Sequence, residues 1–214
     1  MKYLKTYNKL FERYIDELYI SDDYEWNKVN DDIRKIYINY NIKNWPKLPD
    51  KLKHLDCRAK NIEYLPELPK TLINLDCGVN NLKELPELPD NLIELRCYQN
   101  QIEKLPKLPE KLIILICEYN NLTKIPDITH KYEWIRFSNN PLEELPNGID
   151  EIILDQQDLN WIMSNAYKWV VNKPKDYALL EKYMIIEDRD KLEKEHPEII
   201  SQNQFGMFGL KNQK

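Results

Sequence analysis

Four cysteines, Cys57, Cys77, Cys97 and Cys117, recur at one fixed interval, each in the same place of a repeated unit. Cysteines can hold zinc, pair as disulfides or act as nucleophiles, and here the spacing argues against all three. A zinc site needs its ligands converging on one point at about 2.3 Å. Four side chains in one column of adjacent parallel strands instead lie in a line about 14 Å long. A disulfide needs a specific dihedral that stacked, parallel side chains rarely offer. Phe137 and Leu154 continue the same column, so the position asks for an apolar filler, and the four thiols are expected to be reduced core residues. His54, Asp56 and Cys57 resemble pieces of a hydrolase site. In a strand, however, Cys57 points inward while His54 and Asp56 point outward, so they cannot form a nucleophile–base pair. His130 and His196 are isolated, and the four glycines, Gly78, Gly148, Gly206 and Gly209, form no phosphate-binding loop. The expectation is a protein that is not an enzyme, with no metal and no cofactor.

The elements that carry these residues follow from the same period. Leu52, Leu72, Leu92, Leu112 and Tyr132 form one column; Leu55, Leu75, Leu95, Leu115 and Ile135 form another. Ile62, Leu82, Ile102, Leu122 and Leu142 form a third. Leu65, Leu85, Leu105, Ile125 and Leu145 each precede a proline, and 11 of the 13 prolines fall between residues 46 and 146. The unit reads L-x-x-L-x-C-x-x-N-x-L-x-x-L-P-x-L-P. Its first part predicts one short strand, with residues two apart on the same face. Each unit alone exposes its apolar face, and stacking the units buries it. Proline closes each unit against helix formation, and a unit this short has no room for a strand, a full helix and two turns. The return side is therefore extended or polyproline-like. Asn80, Asn100, Asn120 and Asn140 form a column suited to satisfying backbone groups at the bend. Lys60 occupies that position in the first unit, so the ladder is expected to begin at the second.

The expected architecture is an α/β solenoid with short parallel strands on a concave face and helical caps at both ends. Residues 1–44 form an N-terminal helical cap. Leu4, Tyr7, Phe11, Tyr14, Ile15 and Leu18 predict a helix over about 3–20. Asp22 and Glu25, with Trp26, Val29, Ile33 and Ile36, predict another over 22–37, with Trp26 buried against the repeats. Residues 45–160 form the solenoid, five full units and a shortened sixth built on Ile149, Ile152, Leu154 and Leu159. Ile42, Trp45, Pro46, Leu48 and Pro49 match the second half of a further unit, without a clear strand before it. Residues 161–200 form a C-terminal helical cap, with Trp161, Ile162, Ala166, Trp169 and Val170 on a first helix, Pro174 opening a second and Asp190–His196 adding a turn. Residues 201–214 are expected to be a disordered tail, whose Phe205–Leu210 stretch is unusually apolar.

The unit Leu72–Pro89, LINLDCGVNNLKELPELP, is similar to the short leucine-rich repeats of bacterial type III effectors, the YopM and IpaH families. Asn41–Pro49, reached from the N-terminal cap, also looks like theirs. Giant-virus leucine-rich-repeat proteins carry similar units. The resemblance covers about residues 22–160 and implies a protein-binding module, host-directed if the chain is an effector or a viral adaptor. The effector ligases add a large C-terminal domain with a nucleophilic cysteine. Here all four cysteines lie in the repeat, so ligase activity is not implied.

Charge narrows the partner. The chain carries 31 basic and 36 acidic side chains. Residues 1–44 are neutral, 45–154 carry net −4 and 155–214 net −1. No segment has the basic footprint of a nucleic-acid binder. No polybasic cluster, signal core or membrane-length apolar run is present. A cytoplasmic protein follows, in the host cytoplasm for an effector or virus. The outward strand positions form three rows: His54, Asn74, Glu94, Ile114, Trp134, Glu151; Asp56, Asp76, Arg96, Ile116, Arg136, Ile153; and Arg58, Gly78, Tyr98, Glu118, Ser138, Asp155. They are polar at the N-terminal end and turn apolar and aromatic toward the C-terminal end. Arg96, Tyr98, Ile114, Ile116, Glu118, Trp134, Arg136 and Ile153 are therefore the expected partner-binding residues, with the composition of an interface hot spot. The partner is another protein, neither nucleic acid nor membrane, bound by a monomer. The alternatives are a structural or oligomerising component, a ubiquitin-pathway adaptor recruiting through a helical cap, and C-terminal helices that fold over the patch themselves.

Overall fold

The computed structural model describes residues 16–128, 132–148, 162, 164–166 and 186–197. The predicted sixth unit, Ile153, most of the C-terminal helices and the Phe205–Leu210 tail lie outside the described residues.

Among the described residues seven strands form one parallel sheet in strict chain order. They are β1 (Glu17–Ile20), β2 (Lys35–Ile38), β3 (His54–Asp56), β4 (Asn74–Asp76), β5 (Glu94–Arg96), β6 (Ile114–Ile116) and β7 (Trp134–Arg136). From β3 onward each residue pairs with its equivalent in the next unit, Leu55 with Leu75, Leu95 with Leu115 and Leu115 with Ile135. The inward columns are the core, and Leu55, Leu75, Leu95 and Leu115 are buried with Leu72, Leu92 and Leu112. Pairing outlasts the strands: Cys77 N–H donates to Arg96 O and Val79 N–H to Tyr98 O, both at 2.8 Å. At the far side of the first four units a tight turn brings Leu N–H to a proline carbonyl, as in Leu72 to Pro69 at 2.9 Å.

The asparagine column closes the bends. Asn120 lies in the unit of β6, and its carboxamide binds groups of its own unit and of the preceding one. Its Oδ1 accepts from Ile102 N–H at 3.0 Å, while its Nδ2 donates to the carbonyls of Cys97 (2.9 Å), Cys117 (3.1 Å) and Glu118 (3.3 Å). Asn80, Asn100 and Asn140 repeat the pattern. Lys60 has no such role; its N–H donates to Asn80 Oδ1 at 2.9 Å. The ladder therefore begins at the second unit, as its column predicts.

The N-terminal expectation is corrected. Residues 22–37 do not form a helix. Asp22 caps a 3-10 helix, Asp23–Lys28, accepting from Tyr24 and Glu25 N–H. The chain then turns and enters β2. Nor is 3–20 a single helix, because Glu17–Ile20 is strand β1. The physical reason is an ambiguity of spacing. Ile33 and Ile36, three apart, suit a helix face but equally suit the L-x-x-L of the repeat, and Ile38 completes it. Leu18 pairs with Ile36, and Ile36 with Leu55, so neighbouring strands decide what local periodicity leaves open. The strand before Ile42 and Trp45 is thus β2. Its register steps are shorter than those of the later units by two positions toward β1 and by one toward β3.

At the other end Ile162 and residues 164–166 are helical, and helix α1 spans Ile186–Glu195, longer than the predicted turn. Ile162, Ala166 and Leu192 are buried and belong to the same apolar cluster as the repeat leucines.

Candidate protein-binding face

The inward face carries the four cysteines. Cys57, Cys77, Cys97 and Cys117 are free thiols, all fully buried. Burial pushes the Cys97 thiol up to about 12 and drives Cys57 and Cys77 upward too, far from the lowered values of nucleophilic cysteines. Cys77 and Cys117 point Sγ at the carbonyls of Arg96 and Arg136 at 3.5 Å. Among the described residues no group of His, Cys, Asp or Glu could hold a metal ion. His54 sits partly buried on the open face, its pKa lowered by burial and then by nearby Lys35.

The open face is a chain of paired charges leading to an aromatic end. Arg58 reaches Asp56 at 2.9 Å and Asp76 at 3.5 Å. Burial raises the Asp76 carboxyl above the usual range, partly offset by a hydrogen bond from Gly78 N–H. The Tyr98 ring lies over Gly78; a Cβ there would come within 2.4 Å of the ring. Glycine at this one place in the third row makes room for the aromatic of the next unit. Asn74 donates to Glu94 at 2.6 Å, and the other oxygen of Glu94 pairs with Arg96. The Arg96 guanidinium stands 5.8 Å from the centre of the Trp134 ring, within cation–π range. Arg136 pairs with Glu118 at 2.8 Å.

The predicted site residues divide by exposure. Trp134 is 43% exposed. Arg96, Tyr98, Ile114 and Arg136 are half-buried. Ile116 and Glu118, read from sequence as surface positions, are buried, at 4% and 8% exposure. Ile116 is nonetheless outside the solenoid's core cluster. Its register partners are Arg96 and Arg136, whose long aliphatic stems can cover apolar surface. The expected patch is thus smaller than its row assignment, with Trp134 and Ile114 as its apolar centre. Sequence reading missed the extension of the open face through β1 and β2, where Tyr19 stacks on Tyr37 at 4.6 Å. The alternation in Glu17–Ile20 and Lys35–Ile38 was the available signal.

Among solved structures the chain is similar to YopM of Yersinia pestis, with 29% identity and a TM-score of 0.51 over 56% of this chain and 34% of that one. The fold is the leucine-rich-repeat solenoid of the YopM type. YopM of Yersinia enterocolitica WA-314 gives 29% identity and a TM-score of 0.49 over 56% of this chain and 26% of that one. A Shigella effector leucine-rich-repeat domain gives 31% and 0.46, over 50% and 54%. The chain thus spans about a quarter to half the length of these proteins. No protein-family model matches it, and no curated protein does. Among the described residues no helix is long and apolar enough to cross a membrane.

Proposed function

We propose that the chain is a non-catalytic protein-interaction module that binds a partner protein on the open sheet face over β5–β7, centred on Trp134 and Ile114 and framed by Arg96, Tyr98 and Arg136. Glu118 acts from beneath, holding Arg136, and Ile116 acts as packing; Ile153 belongs to the same row. One observation carries the reading. A tryptophan 43% exposed stands on an open strand face, its ring within cation–π range of an arginine that is itself paired to Glu94. Tryptophan and arginine dominate the energetics of interfaces, and a braced ring loses little freedom on binding. The similar YopM of Yersinia pestis is titled a leucine-rich effector protein. That likeness supports an effector-like role, and the host cytoplasm and a monomeric state are part of the same proposal.

The test is capture of a partner from host-cell lysate by the intact chain, by Trp134→Ala and by Glu63→Ala, an exposed residue away from the strands. Capture lost in Trp134→Ala alone, with an unchanged melting temperature, supports the site. Equal capture by all three overturns it. A sharp fall in melting temperature for Trp134→Ala would show instead that the chain covers this face itself. Light scattering of the pure protein separates a monomer from a self-associating structural component.

A further inference from the structure

The chain contains one Asn–Gly pair, Asn147–Gly148, and it stands where two units are tied together. Asn147 is exposed. Its carbonyl accepts from Ile128 N–H at 2.9 Å, and its own N–H lies 3.4 Å from Asp127 Oδ1. Gly148 holds a left-handed backbone, φ +80°, and a Cβ there would sit 2.5 Å from the Ile128 carbonyl oxygen. The turn therefore excludes a side chain at 148. The same absence leaves the Gly148 nitrogen unshielded beside the Asn147 carboxamide. The ladder asparagines contrast on every count. Asn80, Asn120 and Asn140 are buried, and all four ladder carboxamides are engaged by several backbone groups. None of the four is followed by glycine; Asn81, Gln101, Asn121 and Pro141 come next.

We propose that Asn147 is a site of spontaneous deamidation that loosens the tie between the units of β6 and β7. The Gly148 nitrogen gives up its proton and bonds to Asn147 Cγ; the Cγ–Nδ2 bond breaks and ammonia leaves, closing a succinimide. Water then opens the ring at either carbonyl. One product is aspartate, the other isoaspartate, and nothing is oxidised or reduced. Aspartate places a second carboxylate beside Asp127. Isoaspartate runs the main chain through the side-chain carbon, adds a methylene to the backbone and moves the carbonyl that Ile128 N–H uses. Both weaken a contact at the unit that carries Trp134.

The full chain, held at mildly alkaline pH and body temperature in water enriched in heavy oxygen, is sampled over time by peptide mapping. Label should enter residue 147 as both aspartate and isoaspartate, at least an order of magnitude faster than any ladder asparagine. The aged protein should melt at a lower temperature, and Asn147→Gln should abolish both changes. Residue 147 unlabelled, or labelled no faster than the buried asparagines, overturns the site. Full conversion with an unchanged melting temperature overturns the loosening.

Discussion

Strands β1 and β2 share a sheet with β3–β7, but the two regions close their bends by different means. From β3 onward the register step is constant, and an asparagine in each unit from the second on fastens it to the one before. Around β1 and β2 the steps are shorter and unequal, and aromatic groups take over. Trp26 Nε1 donates to the Tyr40 hydroxyl at 2.9 Å, which donates to Asp23 at 2.6 Å. Trp26 meets Trp45 edge-on at 6.4 Å, and Trp45 Nε1 donates to the Tyr64 carbonyl at 2.9 Å. A short polar side chain satisfies a bend of fixed length through several bonds at once. When the length varies, those donors and acceptors no longer align, and larger side chains with single polar tips bridge the gap.

The largest expected effect breaks this contrast at its centre. Asn120→Ala leaves the Ile102 N–H without its acceptor, strips one donor from each of the Cys97, Cys117 and Glu118 carbonyls, and should cost about 1–3 kcal/mol. Lys60→Ala, at the equivalent place before the ladder begins, should stay within about 0.5 kcal/mol. Equal shifts in urea midpoint for both would remove the distinction.

A smaller effect, of opposite sign, concerns the residue just before the ladder. Ala59, Val79, Gln99, Tyr119 and Asn139 all hold left-handed backbone, with φ of 50–57°. This conformation costs an ordinary residue about 1–2 kcal/mol, and asparagine tolerates it better. Val79 is β-branched and 40% exposed, so Val79→Asn should stabilise by about 1 kcal/mol. Thermal melts of the single variant check this, and a lower midpoint would contradict it.

The smallest effect sharpens the comparison from the N-terminal side. Burial, and then the bond to Asp23, push the Tyr40 phenol up to about 12 from an ordinary 10. A folded-state value above the unfolded one favours the neutral phenol. That contribution is complete below pH 10 and is lost as pH rises to about 12. Tyr40 is only partly buried, so screening keeps the loss small. Trp26 fluorescence should report a loosening in this window that Tyr40→Phe reduces. An identical alkaline profile in the variant would detach the Tyr40 hydroxyl from this closure.

The repeat was legible because each of its columns recurs from unit to unit, and a residue's role can be read from its equivalents. Cys117 reads as a core residue because Phe137 fills the same place, and Asn120 as structural because Asn80, Asn100 and Asn140 accompany it. The first two strands were less legible because their shortened spacing breaks the column alignment. The run Val29, Ile33, Ile36 then satisfies a helix and a repeat equally well. The outward rows were legible in direction but not in depth. Alternation identifies Ile116 as outward, yet only the flanking Arg96 and Arg136 in register give a reason for its burial. Nor does any local pattern state that Tyr98 leans over Gly78, which depends on a glycine one unit earlier.

Strict chain-order pairing in the sheet also bears on how such a chain can change length. Among the described residues every strand meets only its immediate predecessor and successor, and between β3 and β7 those meetings are interchangeable in register. Duplicating or deleting the codons of one whole unit there would leave every surviving neighbour with an equivalent neighbour, and stability would change by about one unit and one junction. The same event across β1 or β2 would join a shortened step to a full one and misalign the bend. The middle of the chain is therefore free to grow or shrink by recombination, while the stretch ahead of β3 is committed to its present spacing.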